Sequence, residues 1–435
     1  MTGGLRMSAG RLSLLAATGF LLVGGASAQA ADLGGDCCAD LEERIAELEA
    51  TTARKGNRKV SLTVYGQVNE AIGYWDDGHE QNVYQYTNDA SRTRIGFRGK
   101  AKISDDWFAE YRIEIGIRSE DQGALSADAD DGGGGFDLRH SSWTLGSKTY
   151  GSVTVGETSM SHDGITQFQT ANIGHFASPD IFDANETFQL RRSGGGNVNS
   201  WGNLFQVLEP GEGSRGSLVR YNTPTFAGFA ASAHWGEDDI WGIALEYEGE
   251  IGPFEIAGGI GYGEMSERDE ECMVAAGLVH SDCEEYGMSL SAMHKPSGIF
   301  VTGAYGVRKD NGRANLLALR GFAPDDELSF WHIQAGIEQK WNALGKTTIF
   351  GGYQDRDNGH VLNDNGGANI SDGAGGIVTN SEMEMWEVGL NQEISAAAMN
   401  IYLHYKHYDA DITSTNGSID TEPWQTVIGG AIIKF

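Results

Sequence analysis

Thirteen residues, "SRTRIGFRGKAKI" from Ser91 to Ile103, carry five cations: Arg92, Arg94, Arg98, Lys100 and Lys102. All five occupy even positions, and Thr93, Ile95, Phe97, Gly99, Ala101 and Ile103 fill the odd ones. Side chains of a strand point alternately to its two faces, so this spacing predicts a strand with one cationic and one apolar face. The chemistry open to such a row is electrostatic: a field acting on ions and dipoles in water, within a chain of formal net charge -30. The next alternating stretch, Trp107 to Arg118, sets Arg112 and Arg118 on its polar face beside Glu110 and Glu114.

Catalysis finds little material. Ser161 and His162 in "MSHDG" offer a nucleophile and a base only as chain neighbours, and polar loop residues explain them more simply. The eleven histidines are scattered, and no GxSxG or HExxH string occurs. Neither cysteine pair has CxxC spacing, so no metal is expected, and nothing asks for a cofactor. Cys272 and Cys283 lie in an acid-rich polar stretch and read as a disulfide closing a small loop. Cys37 and Cys38 are vicinal, so they either stay reduced or pair between chains.

The N-terminus reads as an export signal. Arg6 and Arg11 precede the apolar run "LSLLAATGFLLVGG", and "ASAQAA" supplies small-residue cleavage points near Ala28 or Ala30. Residues 1–30 are therefore expected to be removed, which takes away Arg6 and Arg11 and no acid. The acidic balance speaks against nucleic acid as a partner. A mean hydropathy of -0.34 excludes a bundle of membrane helices. It does not exclude a membrane β-barrel, in which only every second residue of a strand faces lipid.

The elements that must position these residues are almost all strands. Residues 31–59 hold the one amphipathic helix, with Leu41, Ile45 and Leu48 on a common face. It is long enough to pack on its own chain or to meet copies of itself. From Val60 onward the period is two. "VSLTVYGQV", "WFAEYRIEIGIRS", "FWHIQAGIEQKW" and "MNIYLHYKHY" all alternate apolar and polar residues, and Trp107, Trp331, Trp341, Trp386 and Trp424 cluster at strand ends. Comparable segments number about sixteen, each of about ten residues, the length that crosses a bilayer when tilted. Short turns alternate with long Gly/Asp/Asn-rich loops, and the gap from 159 to 216 carries no strand pattern. The expected fold is all-β, a transmembrane antiparallel barrel over residues 60–435 with apolar faces outward and a polar interior.

Several stretches then resemble the general diffusion porins of Gram-negative outer membranes. "VYGQVNEAIGYW" is similar to their first strand, "SRTRIGFRGKAKISDDWFAEYRIEIG" to their second and third, and "SWTLGSKTYGSVTVGE" to the hairpin before the third outer loop. The leader "CADLEERIAELEATTARKGN" resembles the alphaproteobacterial branch. Phe435 ends the chain after "VIGGAIIK", similar to the terminal aromatic read by the barrel-assembly machinery. Glu157 departs from the pattern, since many relatives carry a cation there.

The resemblance implies a homotrimer in the outer membrane, among lipid and lipopolysaccharide, each barrel holding a water-filled pore for small hydrophilic solutes and ions. It also implies that the third outer loop, matched by residues 159–216, folds inward as a constriction. On this reading Arg92, Arg94, Arg98, Lys100, Lys102, Arg112 and Arg118 form a basic wall of the pore. Glu110 and Glu114 interrupt that wall, and Asp163, Asp180, Asp183 and Glu186 of the loop stand across from it. The chain's acidity suggests a weak preference for cations. A channel selective for anionic or sugar solutes is the main rival, and a barrel-embedded enzyme a weaker one.

Overall fold

The computed structural model describes residues 59–178, 185–205, 210–236, 239–266, 282–362 and 368–435. The export signal, the amphipathic helix, Cys37, Cys38, Cys272, Asp180 and Asp183 lie outside the described residues. Among the described residues twenty strands follow in chain order. They begin with β1 (Thr63–Asp76), β2 (Gln81–Thr87), β3 (Arg94–Lys102), β4 (Trp107–Arg118), β5 (Gly135–Ser147) and β6 (Gly151–Ser159). Next come β7 (Gln189–Arg191), β8 (Asn197–Ser200), β9 (Arg215–Asn222), β10 (Phe229–Gly236), β11 (Trp241–Ile251), β12 (Phe254–Ser266) and β13 (Asp282–His294). The series closes with β14 (Ile299–Asp310), β15 (Glu327–Gln339), β16 (Thr347–Gly359), β17 (Val378–Ile394), β18 (Met399–Ser414), β19 (Gly417–Ile419) and β20 (Trp424–Lys434).

Sixteen of these strands form one closed antiparallel wall. Each pairs with its neighbours from β3 through β6, on to β9 and up to β18, and β20 pairs with both β18 and β1 to shut the ring. β2 and β3 share one place beside β1: β2 pairs with its upper half and β3 with its lower half. Closure removes the unpaired edges that hydrocarbon would not tolerate. Among the described residues no helix is long and apolar enough to cross a membrane, a test that does not bear on strands.

Alternation assigns the faces. On β1, Val64, Val68 and Ile72 are exposed outward while Gln67, Asn69 and Ala71 are buried inward. Outward aromatic rings meet across neighbouring strands at both ends of the wall. Trp331–Tyr353 and Trp386–Tyr405 lie 5.2 and 5.0 Å apart at the long-loop end. Phe229–Tyr247 and Trp107–Tyr150 lie 4.7 and 6.4 Å apart at the short-turn end. Two aromatic belts with an apolar band between them are what a bilayer selects.

The segment between β6 and β9 folds into the lumen, and the sequence-based expectation of a loop without strands needs correcting. β7 and β8 form a small hairpin there, followed by a helical turn, α1 (Trp201–Phe205). The segment also builds an apolar core inside the barrel, where a polar interior was expected. Phe188 packs on Trp75 and Trp424 at 4.8 and 5.3 Å, Phe176 stacks on Tyr402 at 4.5 Å, and Trp201 meets Tyr408 at 6.0 Å. The core lies against β1 and β16–β20. A loop this long can bury its own apolar groups only by covering part of the inner wall, which is why some lumen positions are aromatic.

Candidate functional site

The loop is tied to the wall by donors and acceptors spaced along it. Ser161 N–H donates to His234 Nδ1 at 3.0 Å, Thr170 N–H to Ser291 Oγ at 2.9 Å and Asn172 N–H to Glu338 Oε2 at 2.8 Å. Gln334 Nε2 donates to the Ala177 carbonyl at 2.9 Å, and Ser381 Oγ to the Leu204 carbonyl at 3.0 Å. The loop thus crosses from β10 to β17 and leaves open the space beside β3–β6. Close approach explains Gly287 and Gly306: a Cβ at either would overlap the carbonyl oxygen of Gly211 or Pro210 on the returning loop.

That space holds a cavity of about 790 Å³. Its wall side carries Arg92, Arg94, Arg118 and Arg139, and the loop side carries Asp163, Glu186 and Glu212, with Arg215 opening β9. A second cavity, of about 580 Å³, lies nearer the short-turn end and is lined by Arg98, Lys100, Glu110 and Arg112 among neutral residues.

The expected basic wall is therefore divided. Arg92 and Arg94 line the larger cavity with Arg118, while Arg98 and Lys100 line the smaller one with Arg112. Arg92 precedes β3 and is held by Asp89 at 2.7 Å and Asp137 at 3.0 Å. Arg118 pairs with Asp89 and Asp121, both at 3.0 Å. Lys102 is 71% exposed beside Asp105 at the turn and sits on the rim, where β3 ends beyond both cavities. Glu110 pairs with Lys100 at 2.5 Å. Glu114 is 1% exposed and lies behind the arginines: Arg112 approaches it at 2.7 Å, Arg139 at 2.9 Å and Arg94 at 3.9 Å, and the Tyr65 hydroxyl donates to it at 2.8 Å. It is a buried hub, corrected from its expected place on the pore surface, because three cations of β3, β4 and β5 close over it.

On the loop, Asp163 faces Arg215 at 3.6 Å. Arg191 and Arg192 turn away to Asp77 at 2.6 Å and Asp372 at 3.8 Å. Glu212 accepts the Gly164 and Thr166 N–H groups at 2.8 and 2.7 Å. Burial pushes its carboxyl up to about 8, and Asp163 adds to the shift against those hydrogen bonds. Ser161 meets His234 (Oγ to Nδ1, 3.1 Å) instead of its sequence neighbour His162, and both are buried. Cys283 is buried and disulfide-bonded; its expected partner, Cys272, is outside the described residues. Phe435 closes the barrel, exchanging backbone hydrogen bonds with Gly66 at 2.9 and 3.0 Å.

Sequence reasoning missed Arg139. The β4–β5 register slips between Glu114 and Ile115, so Glu114 faces His140 and Ile115 faces Leu138. Arg139 is the extra residue of a bulge, and both it and His140 turn inward. It breaks the parity that located the others. Arg215 was hidden at a loop-strand junction where no alternation precedes it.

The sequence matches the profile of the Gram-negative porins over residues 14–431. The chain belongs to the Gram-negative porin family. Solved structures share its fold. The anion-selective porin from Comamonas acidovorans has a TM-score of 0.55 at 16% identity, covering 86% of this chain and 100% of that one. Salmonella typhi OmpF in complex with daunomycin has 0.51 at 12% identity, covering 87% and 98%. The outer membrane channel DcaP of Acinetobacter baumannii has 0.50 at 12% identity, covering 88% and 100%. No curated protein matches the sequence. At these identities the structural likeness speaks for the fold. Family membership makes this porin an outer-membrane diffusion channel.

Proposed function

We propose that this porin passes small hydrophilic solutes and ions passively, without catalysis, along the β3–β6 wall. The inward loop narrows the lumen there and presses its apolar core against the far side. The observation that carries this reading is the larger cavity, where arginines of the wall face carboxylates of the loop. Its described lining sets five arginines against four acids besides Glu212, whose raised carboxyl stays largely protonated at neutral pH, and that of the smaller cavity sets three cations against one carboxylate. The chain's acidity lies elsewhere. Asp355, Asp357, Glu382, Glu384, Asp409 and Asp411 face outward above the aromatic belt in matched register on β16, β17 and β18. A weak anion preference follows, in place of the cation preference expected from net charge.

The same reading includes a cleaved export signal, membership of the alphaproteobacterial branch, assembly guided by Phe435 and a homotrimer set among lipid and lipopolysaccharide. One related barrel, OmpT of Vibrio cholerae, is described in a trimer form. Purified protein in a planar bilayer should give stable ohmic steps in salt without added substrate, and a zero-current potential of anion-selective sign. Silent bilayers at high protein load would remove the channel reading, and a cation-selective potential would remove the assignment of the lining.

A further inference from the structure

The short-turn half of the wall carries a charge that no described carboxylate answers. Two rows of luminal side chains run across the sheet there in hydrogen-bond register. One passes from Thr63 on β1 through Arg98 and Arg112 to Ser142 on β5. The next passes from Lys100 through Glu110 and Thr144 to Thr154 on β6. All eight line the smaller cavity of about 580 Å³, a volume within the range of small-molecule sites. One half of this cavity is cationic, and the other, on β5 and β6, is a ladder of hydroxyls.

Ion pairing inside the cavity leaves a specific remainder. Lys100 is matched by Glu110 at 2.5 Å, and Arg112 is committed to the buried Glu114 at 2.7 Å. Arg98 is exposed, rests over the Tyr65 ring at 5.1 Å and has no carboxylate partner among the described residues. The uncommitted charge is therefore a single one, presented by a planar fork that fits a carboxylate through two hydrogen bonds. Thr144 and Thr154 share one hydrogen bond at 2.8 Å, which leaves one of their two O–H donors open. The hydroxyls of Thr63 and Ser142 have no hydrogen-bond partner among the described residues. From Arg98 to Ser142 is two strand spacings, about 10 Å, so one sugar-sized molecule reaches both halves.

We propose that the smaller cavity binds polyhydroxylated monocarboxylates, the sugar acids, with Arg98 on the carboxylate and Ser142, Thr144 and Thr154 on the hydroxyls. This rests on the channel reading above and deepens it by naming a solute class and its site. A small inorganic anion answers Arg98 and leaves the hydroxyls to water. A neutral sugar does the reverse, and a phosphate ester brings about two charges to a single uncommitted one.

The test is the current through single channels of the full-length protein in a planar bilayer, with glucuronate added to both sides. Glucose and acetate are the comparison solutes. Glucuronate should interrupt the current saturably, at concentrations well below those at which acetate or glucose does so. Arg98→Gln should raise its half-blocking concentration about tenfold, the size of one lost charge-assisted contact. Ser142→Ala should raise it about fivefold, the size of one lost neutral hydrogen bond, and should leave the response to acetate unchanged. Heat-modified gel mobility checks that both variants fold, and either one alone reads the site. Equal block by acetate would reduce the site to charge alone, and equal block by glucose would remove the role of Arg98. A glucuronate block untouched by both substitutions, or stable conduction with no block at all, would equally overturn the assignment. Silent bilayers would instead overturn the channel reading.

Discussion

Arg94→Gln is the sharpest perturbation of the pore wall. Arg94 lines the larger cavity, and its loss leaves Glu114 still bound by Arg112 and Arg139, so no buried carboxylate is stranded and the barrel should fold. The change removes one positive charge from the permeation path. A unit charge about 8 Å from a passing ion in water is worth roughly 0.5 kcal/mol before screening. At 10 mM salt, with a Debye length near 30 Å, about 0.4 kcal/mol survives; near physiological salt about 0.2 kcal/mol does. The charge attracts anions and repels cations, so the permeability ratio changes by twice that energy. It should shift toward cations about fourfold at 10 mM and about twofold at 150 mM. The assay is the zero-current potential across a planar bilayer under a salt gradient, with barrel folding checked by heat-modified gel mobility. An unchanged potential in a folded variant would mean that Arg94 does not face the path. An equal shift at both salt levels would refute the electrostatic account.

Other outcomes follow from the same geometry. With the Glu212 carboxyl pushed up to about 8, the pore gains a negative charge as pH rises through that value, so cation permeability should climb between pH 7 and 9, and Glu212→Gln should flatten the profile. Trp201→Ala empties the centre of the luminal core; unfolding should become easier by about 3–5 kcal/mol, and single-channel conductance should rise as the loop loosens. Glu114→Gln removes the charge shared by three guanidinium groups and should lower the temperature at which the barrel loses its folded gel mobility, by far more than Glu110→Gln, whose partner Lys100 is exposed. A non-reduced digest should contain the Cys283 peptide joined to the Cys272 peptide; recovering both thiols free after native alkylation would reject that pairing.

The side-chain face of each strand was legible in the amino-acid order because alternation is a local property of extended chain. Arg94, Arg98, Lys100, Arg112 and Arg118 share one face of their strands by parity alone, and the aromatic belts and the alternation of turn lengths follow from the same period. That locality also limited the reading. The bulge at Arg139 reverses parity at a single residue, and the hydrogen-bond register that creates it belongs to the neighbouring strand. Glu114 becomes a hub only when β3, β4 and β5 lie side by side. Ser161 finds His234 and Asn172 finds Glu338 because the loop lies across a wall whose strands come much later in the chain. The total charge was readable from composition, but its placement was not. Asp355, Asp357, Glu382, Glu384, Asp409 and Asp411 face outward while Arg92, Arg94 and Arg139 line the cavity, because barrel closure assigns each strand an inside and an outside. Composition sums over both faces, and only the closed wall separates them.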